Sequence, residues 1–248
     1  MRELRVTAVA GIPEVSEGMN LGELIAARAS LTDGDIVVVS QKIVSKAEGR
    51  IRRLSSAIPG GEARRLAAVL GKEPALVELI LAESREVLRA ERGVLITETH
   101  HGFVCANAGI DTSNLPEPDT VSLLPEDPDA SARRIRAEIR AASNTVPAVI
   151  VSDSFGRAWR LGQAEVAIGC AGIAPLDDWR GRADASGRKL EATLIAIADE
   201  AAAAADLVRD KASGVPAAIV RGLERYVSPD DGPGAAALRR PHDEDLFR

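Results

Sequence analysis

Aromatic residues are scarce in this chain: two tryptophans, one tyrosine and three phenylalanines make up 2% of its 248 residues. Histidine is almost as rare, with three, so any chemistry must rest on carboxylates, hydroxyls, lysines and arginines. The His/Cys ligand cluster of a zinc site is missing, which leaves only hard, oxygen-seeking metals open. The two cysteines, Cys105 and Cys170, each sit in an apolar segment and read as reduced core residues rather than a disulfide framework. Positive charge is not in excess: the formal net charge is −6, which argues against general nucleic-acid binding. No apolar run reaches membrane length, because Asp and Glu interrupt the Ala-rich stretches. The start, Met1-Arg2-Glu3-Leu4-Arg5, lacks the apolar core of a signal peptide, and the expected location is cytoplasmic. Neither a Walker loop, a kinase signature nor a Rossmann fingerprint occurs, and there is no internal repeat.

What is present is the composition of a soluble globular protein, 46% hydrophobic and 27% charged, long enough for one large or two small domains. Residues 5–10 read as a strand stopped by Gly11-Ile12-Pro13, and Asn20 can cap a helix over 21–29. Asp33-Gly34 turns into a buried strand over 35–40. Residues 41–50 follow, with Lys42 and Lys46 four apart, which reads either as a solvated helix or loop edge or as a phosphate contact. Helices are expected over 62–70 and 75–84, strands over 87–89 and 94–99, and an exposed turn at His100 and His101. A short apolar run at 102–106 ends in a polar loop, 107–114, rich in side-chain oxygens. Residues 115–127 carry three prolines and read as a boundary or lid. Asp127-Pro128 opens a helix with Ala132, Ile135 and Ile139 inside and its arginines outside. Residues 177–184 are a charged loop, 190–207 a long Ala-rich helix and 215–220 a last strand. From residue 227 the composition of a tail or linker sets in, which divides the chain into a domain over 1–226 and a tail over 227–248.

The most informative stretch is 146–163. An apolar run, Val146-Pro147-Ala148-Val149-Ile150-Val151, reads as a buried strand that delivers Asp153 and Ser154 to an edge, followed by Gly156, Arg157 and Arg160. The plainer alternative is a strand closed by an ordinary Asp/Ser/Gly turn with solvated arginines. Asp111, at the end of another apolar run, pairs with Asp153 in the sense that carboxylates from separate strand ends can hold Mg²⁺ or Mn²⁺ while phosphates complete the shell. These patterns support metal-dependent phosphoryl chemistry and go no further.

Several longer segments resemble the coenzyme F420-0:L-glutamate ligase family. They are Gly11-Ile12-Pro13, Gly34-Asp35, Ile43-Val44-Ser45-Lys46-Ala47-Glu48-Gly49-Arg50, Asn107-Ala108-Gly109-Ile110-Asp111-Thr112-Ser113-Asn114, and Ser152-Asp153-Ser154-Phe155-Gly156-Arg157 through Gly162. Ala167-Ile168-Gly169, Asp178-Trp179, Ala198-Asp199-Glu200 and Val220-Arg221-Gly222-Leu223 continue the likeness in order. The resemblance implies an α+β, two-subdomain ligase fold unlike the Rossmann or P-loop folds, and a homodimer. It also implies a GTP-dependent amide ligase that adds L-glutamate to coenzyme F420-0, and in some members further γ-linked glutamates, through an acyl phosphate. By position, nucleotide contacts fall on Ile12, Pro13, Glu14, Val15, Gln41, Lys42, Lys46 and Asn114. The implied cations are two Mg²⁺ or Mn²⁺ ions with K⁺ beside them, and the metal ligands fall on Asp111, Asp153 and Ser154.

Residues 208–214 depart from the family's glycine-rich segment, and Asp210 is the nearest candidate there for a further ligand. Arg157 and Arg160 are assigned from their own chemistry, as catalytic cations for phosphate or the acidic substrate, beside Asp153. The ending, Asp243-Glu244-Asp245-Leu246-Phe247-Arg248, resembles the junction to a flavin-binding domain, so the chain reads as a free-standing ligase or as one part of such a fusion. Two other classes remain: a non-catalytic deazaflavin- or nucleotide-binding module that supports an oxidoreductase, and a metal-dependent phosphate-ester hydrolase. The first has no need of paired metal carboxylates, and the second has no need of a glutamate site.

Overall fold

The computed structural model describes residues 3–115, 117–210 and 213–246. Lys211 and Ala212, within the segment expected to form a metal and phosphate loop, and Phe247 and Arg248 of the ending lie outside the described residues. The first half of the chain runs β1 (Arg5–Ala8), α1 (Leu21–Ala26), β2 (Ile36–Ser40), α2 (Gln41–Ala47), β3 (Ile51–Arg53), α3 (Gly61–Leu70), α4 (Pro74–Ala82), β4 (Ser84–Glu91), β5 (Val94–Thr99), β6 (Val104–Ala106) and β7 (Thr120–Ser122). The second half adds α5 (Pro128–Ser143), β8 (Ala148–Arg157), β9 (Arg160–Ala171), β10 (Asp177–Asp178), β11 (Leu194–Ile195), α6 (Ile197–Asp206) and β12 (Ala217–Arg221). This is a mixed α+β arrangement, as expected, with neither a doubly wound parallel sheet nor a P-loop.

The uninterrupted apolar run of β2 has a direct cause: both of its faces are covered. It is the middle strand of a five-stranded sheet ordered β1-β12-β2-β8-β9, in which only the β2/β8 pairing is parallel. Alternate side chains go to opposite faces. Val37, Val39, Val149 and Val151 join one core with α1, α2 and α5, while Ile36, Val38 and Ile150 join another with α6. The buried face of α6 is Ala198, Ala201, Ala202 and Ala205, small residues that let the helix lie close to the strands. A third core is separate. It gathers Leu66, Leu70, Val77, Ile80, Leu95, Ile110, Val121 and Leu123 under α3, α4, the β4-β5-β6 sheet and the β3/β7 pair. The molecule thus has a sheet lobe and a smaller lobe.

Four expectations are corrected. Residues 41–47 are not a solvated edge: they form α2, with Gln41, Ile43, Val44, Ser45 and Lys46 buried, because Ser40 caps the helix directly at the end of β2. The strand through Val151 does not end in a turn at Asp153; it continues to Arg157 and returns through a hairpin as β9. The Ala-rich helix starts at Ile197, since 194–195 pair instead with 177–178. The proline-bearing stretch 115–127 contains β7, whose Val121 packs in the third core.

One α5 arginine also faces inward. Arg136 donates to the Pro147 carbonyl at 2.9 Å and the Ser228 carbonyl at 2.6 Å, and pairs with Asp231 at 2.7 Å. Those contacts hold the stretch after residue 227 against the sheet lobe, where Ala235 is buried beside Ile173. Among the described residues, no helix is long and apolar enough to cross a membrane.

Candidate active site

A cleft of about 540 Å³ lies where the two lobes meet. The sheet lobe supplies its floor: Asp153 and Ser154 from β8, Glu165 from β9, and the start of α2. The smaller lobe supplies Asp111, Ser113, Asn114 and Leu115. The loop after β1 closes one side with Ile12, Pro13, Glu14 and Val15, and Asp206, Arg209 and Asp210 close another. Every residue assigned in sequence to nucleotide or metal therefore faces this one space. Arg157 and Arg160 do not: they lie at the exposed tip of the β8/β9 hairpin, outside the cleft, with Arg157 donating to the Leu161 carbonyl at 3.0 Å.

The two lysines span the lobes. Lys42 sits 2.7 Å from Asp111 Oδ2 and donates to the Ser113 carbonyl at 2.7 Å and hydroxyl at 2.9 Å. Lys46, one helical turn on, pairs with Glu14 at 2.5 Å and donates to the Asn114 carbonyl at 3.2 Å. The 107–114 loop reaches these partners through a sharp bend in which Asn107, Ala108 and Gly109 are all left-handed, at φ 53°, 53° and 71°. Such a bend is strained for the non-glycine residues and is held by the burial of Ala108 and Ile110 in the third core. Burial pushes the Asp111 carboxyl up, but hydrogen bonds from Lys42 and from the Ser113 N–H and hydroxyl outweigh it. Asp111 is thereby held below the usual carboxylate range and is ionised at neutral pH.

Next to Asp153 on β8 begins a polar chain that sequence reasoning missed. Ser154 Oγ donates to Glu165 Oε1 at 2.5 Å, directly across the hairpin, and Arg209 pairs with Glu165 Oε2 at 3.0 Å. Arg209 also donates to the Ser152 hydroxyl at 3.2 Å, and among the described residues its Nε–H has no hydrogen-bond partner. Burial and then the Asp153 charge push the Cys105 thiol on β6 up to about 12, so Cys105 is an inert thiol. The signal for Glu165 lay in the cross-strand register: once 148–171 is read as a hairpin, Glu165 falls opposite Ser154.

Residues 11–222 match the model of the F420-0:gamma-glutamyl ligase family. The chain is 45% identical to a coenzyme F420:L-glutamate ligase of Methanothermobacter thermautotrophicus, over 99% of both chains. Another protein of that name, from Haloarcula marismortui, is 45% identical over 99% of this chain and 96% of its own. A third, from Methanocaldococcus jannaschii, is 43% identical over 94% and 91%. The chain belongs to the F420-0:gamma-glutamyl ligase family.

The donor set of the cleft suits the divalent ions expected from sequence. Asp111, Asp153, Ser154 and Asp210 offer only hard oxygens. Among the described residues, no three acidic, His or Cys side chains converge tightly enough to cage an ion alone. Mg²⁺ is ordinarily held by one or two carboxylates, with substrate phosphates and water completing the shell, and two carboxylates on opposite walls meet that requirement.

Proposed function

We propose that this chain is a GTP-dependent ligase that joins L-glutamate in amide linkage to coenzyme F420-0. The names of its relatives supply the amino acid, and the family's name supplies the F420-0 acceptor. The choice of GTP rests on the family resemblance. The observation that carries the phosphoryl chemistry is the meeting of Asp111 and Asp153, from different lobes, in one cleft with Lys42 and Lys46.

A free carboxylate is a poor electrophile, so the acceptor has to be activated. Transfer of the γ-phosphoryl group to the acceptor carboxylate breaks the bond to the β-phosphate oxygen, forms an acyl phosphate and releases GDP. The glutamate amine, as the free base, attacks the acyl carbon. The C–N bond forms, the C–O bond to phosphate breaks, inorganic phosphate leaves, and the amine proton passes to solvent. Lys42 and Lys46 set positive charge where phosphate oxygens would lie, and their ties to the smaller lobe fix the walls for in-line geometry. Bound through Asp111, Asp153 and Ser154, with Asp210 beside them, Mg²⁺ or Mn²⁺ would neutralise charge on the transferring group. The Glu165–Arg209 chain holds Ser154 in place.

The ligase also acts as a homodimer, with K⁺ as a further cation and with γ-linked glutamates added beyond the first in the manner of some family members. The hairpin tip, where Leu161 is 98% and Trp159 83% exposed among Arg157 and Arg160, is the surface that favours self-association. One reaction tests the whole reading: protein, GTP, Mg²⁺, L-glutamate and coenzyme F420-0, followed by mass spectrometry. The expected product is the acceptor plus one or more glutamyl residues, with one GDP released per amide bond formed. Nucleotide turnover without amide product, or turnover that survives a chelator, overturns it.

A further inference from the structure

Beside the cleft opens a second cavity of about 350 Å³, which shares Val15, Lys46 and Leu115 with it. Its far wall is β3, contributing Ile51, Arg52 and Arg53; Glu17 and Glu117 face it from the loops on either side. Its volume lies at the small end of the range for small-molecule sites. Its charges are mixed: three cations, Lys46, Arg52 and Arg53, stand against two carboxylates, Glu17 and Glu117. Between them runs an apolar strip of Val15, Ile51 and Leu115.

We propose that this annex binds the free L-glutamate that is joined to the acceptor, the side-chain and α-carboxylates on Arg52 and Arg53 and the ammonium facing Glu17 and Glu117. The inference rests on the ligase reading and deepens it by naming the amino-acid site. Sign matching decides the occupant. A polyphosphate or a phosphodiester brings only negative charge, and Glu17 and Glu117 would repel it. An α-amino dicarboxylate brings two negative groups and one positive, spaced by methylenes that the apolar strip covers.

The arginines are prepared for the task to different degrees. Arg52 Nη1 donates to the Gly49 and Ile51 carbonyls, each at 2.9 Å, so the guanidinium is fixed and its Nε and Nη2 donors remain for a ligand. Arg53 pairs with Glu117 in an exposed ion pair, the kind that opens at little cost when a ligand carboxylate and ammonium enter together. Glu17 is fixed from behind: its carboxylate packs on Gly49, where a Cβ would come within 2.7 Å of Oε1. Lys46 stands at the shared boundary, so an amino acid seated here lies directly beside the cleft in which the acyl phosphate forms.

The test uses the full chain and two readouts. Calorimetric titration of L-glutamate into the protein, with GDP and Mg²⁺ present, is expected to show one site that L-glutamine fills at least tenfold more weakly, because it lacks the second carboxylate. Arg53→Met, at an exposed position that leaves the fold intact, is expected to weaken that binding tenfold or more, a loss in keeping with a charged hydrogen bond. In steady state the same variant and Glu17→Gln are expected to raise KM for glutamate at least tenfold, with KM for GTP and for coenzyme F420-0 within twofold of the parent. Unchanged glutamate binding in Arg53→Met, or a rise in KM for the acceptor in place of glutamate, overturns the assignment while leaving the ligase reading intact. A parent protein that forms no amide product brings down the ligase reading itself.

Discussion

Asp153 lies inside a ten-residue strand, one residue past the last β2 pair (Ser40 with Ser152), and its backbone is held opposite Val166 of β9 rather than by a turn. Its side chain lines the cleft beside Ser154, which leads to the buried Glu165 and Arg209. Asp153→Asn keeps the size and hydrogen-bonding capacity of the side chain and removes its charge. The variant is expected to fold normally by circular dichroism and to lose about 10²-fold or more in turnover, the range for deletion of one electrostatic stabiliser. Nucleotide affinity should fall less, since most of the wall that would meet a nucleotide is elsewhere; a near-parent rate at saturating metal would remove Asp153 from the site. Asp153 was legible in the sequence because an apolar run announces a rigid strand just before it. Glu165 was not, since its role arises only from register across the hairpin, and no spacing along the chain encodes that. Arg157 and Arg160 illustrate the opposite error: reading the strand as ending at Asp153 drew them toward the site, whereas four further residues of strand carry them away to the hairpin tip.

At the scale of elements, the sheet lobe depends on how closely α1 approaches α5. Gly22 makes that approach possible: its N–H donates to Glu138 at 2.9 Å, and a Cβ there would sit 2.4 Å from Glu138 Cβ and 2.6 Å from the Ile135 carbonyl oxygen. Alanine is the better helix former by about 1 kcal/mol, and the sign of the substitution is decided by which effect is larger. The Ile135 carbonyl is backbone and cannot step aside, so overpacking wins, with a net loss of roughly 1–3 kcal/mol. Gly22→Ala is therefore expected to lower the thermal midpoint by several degrees, and an unchanged or raised midpoint would show that the helices can part freely. The apolar periodicity of both helices and the caps at Asn20 and Asp127 could be read in the sequence, and both caps are made. The contrary case is α2. Two lysines four apart look like a solvated face, and it takes the 107–114 loop and Glu14, both distant in sequence, to explain why Lys46 is buried.

At the scale of the whole molecule, the cleft exists only while the two lobes keep their relation, because Asp111 and Asp153 stand on different ones. Arg50 ties them together with Lys42 and Lys46. It follows α2, and its Nε donates to the Leu124 carbonyl at 2.9 Å, its Nη1 to Glu126 at 3.2 Å, and its Nη2 to Glu83, at the end of α4, at 2.8 Å. Leu124 packs in the core shared with the sheet lobe, whereas α4 belongs to the third core, so one guanidinium bridges both. Arg50→Met keeps much of the stem's packing and removes all three ties. It leaves the mostly buried Glu83 carboxylate without its cation, while Glu126, largely exposed, loses little. Loss of one partner from a fully buried pair costs about 3–5 kcal/mol, and the partial exposure of Glu83 reduces this to roughly 1–3 kcal/mol. The expected consequence is selective. Amide hydrogen exchange should quicken in β4, β5 and α4, while β2 and β8 keep their protection, since their cores do not include Arg50. Nucleotide affinity should fall in parallel, although Arg50 does not line the cleft, because Lys42 and Lys46 can hold Asp111 and Asn114 only when the smaller lobe is seated. If exchange rises equally in both lobes, Arg50 serves general stability and the lobes do not open separately. If exchange is unchanged, the lobes are held by their apolar contacts alone, and the clamp has to be sought elsewhere.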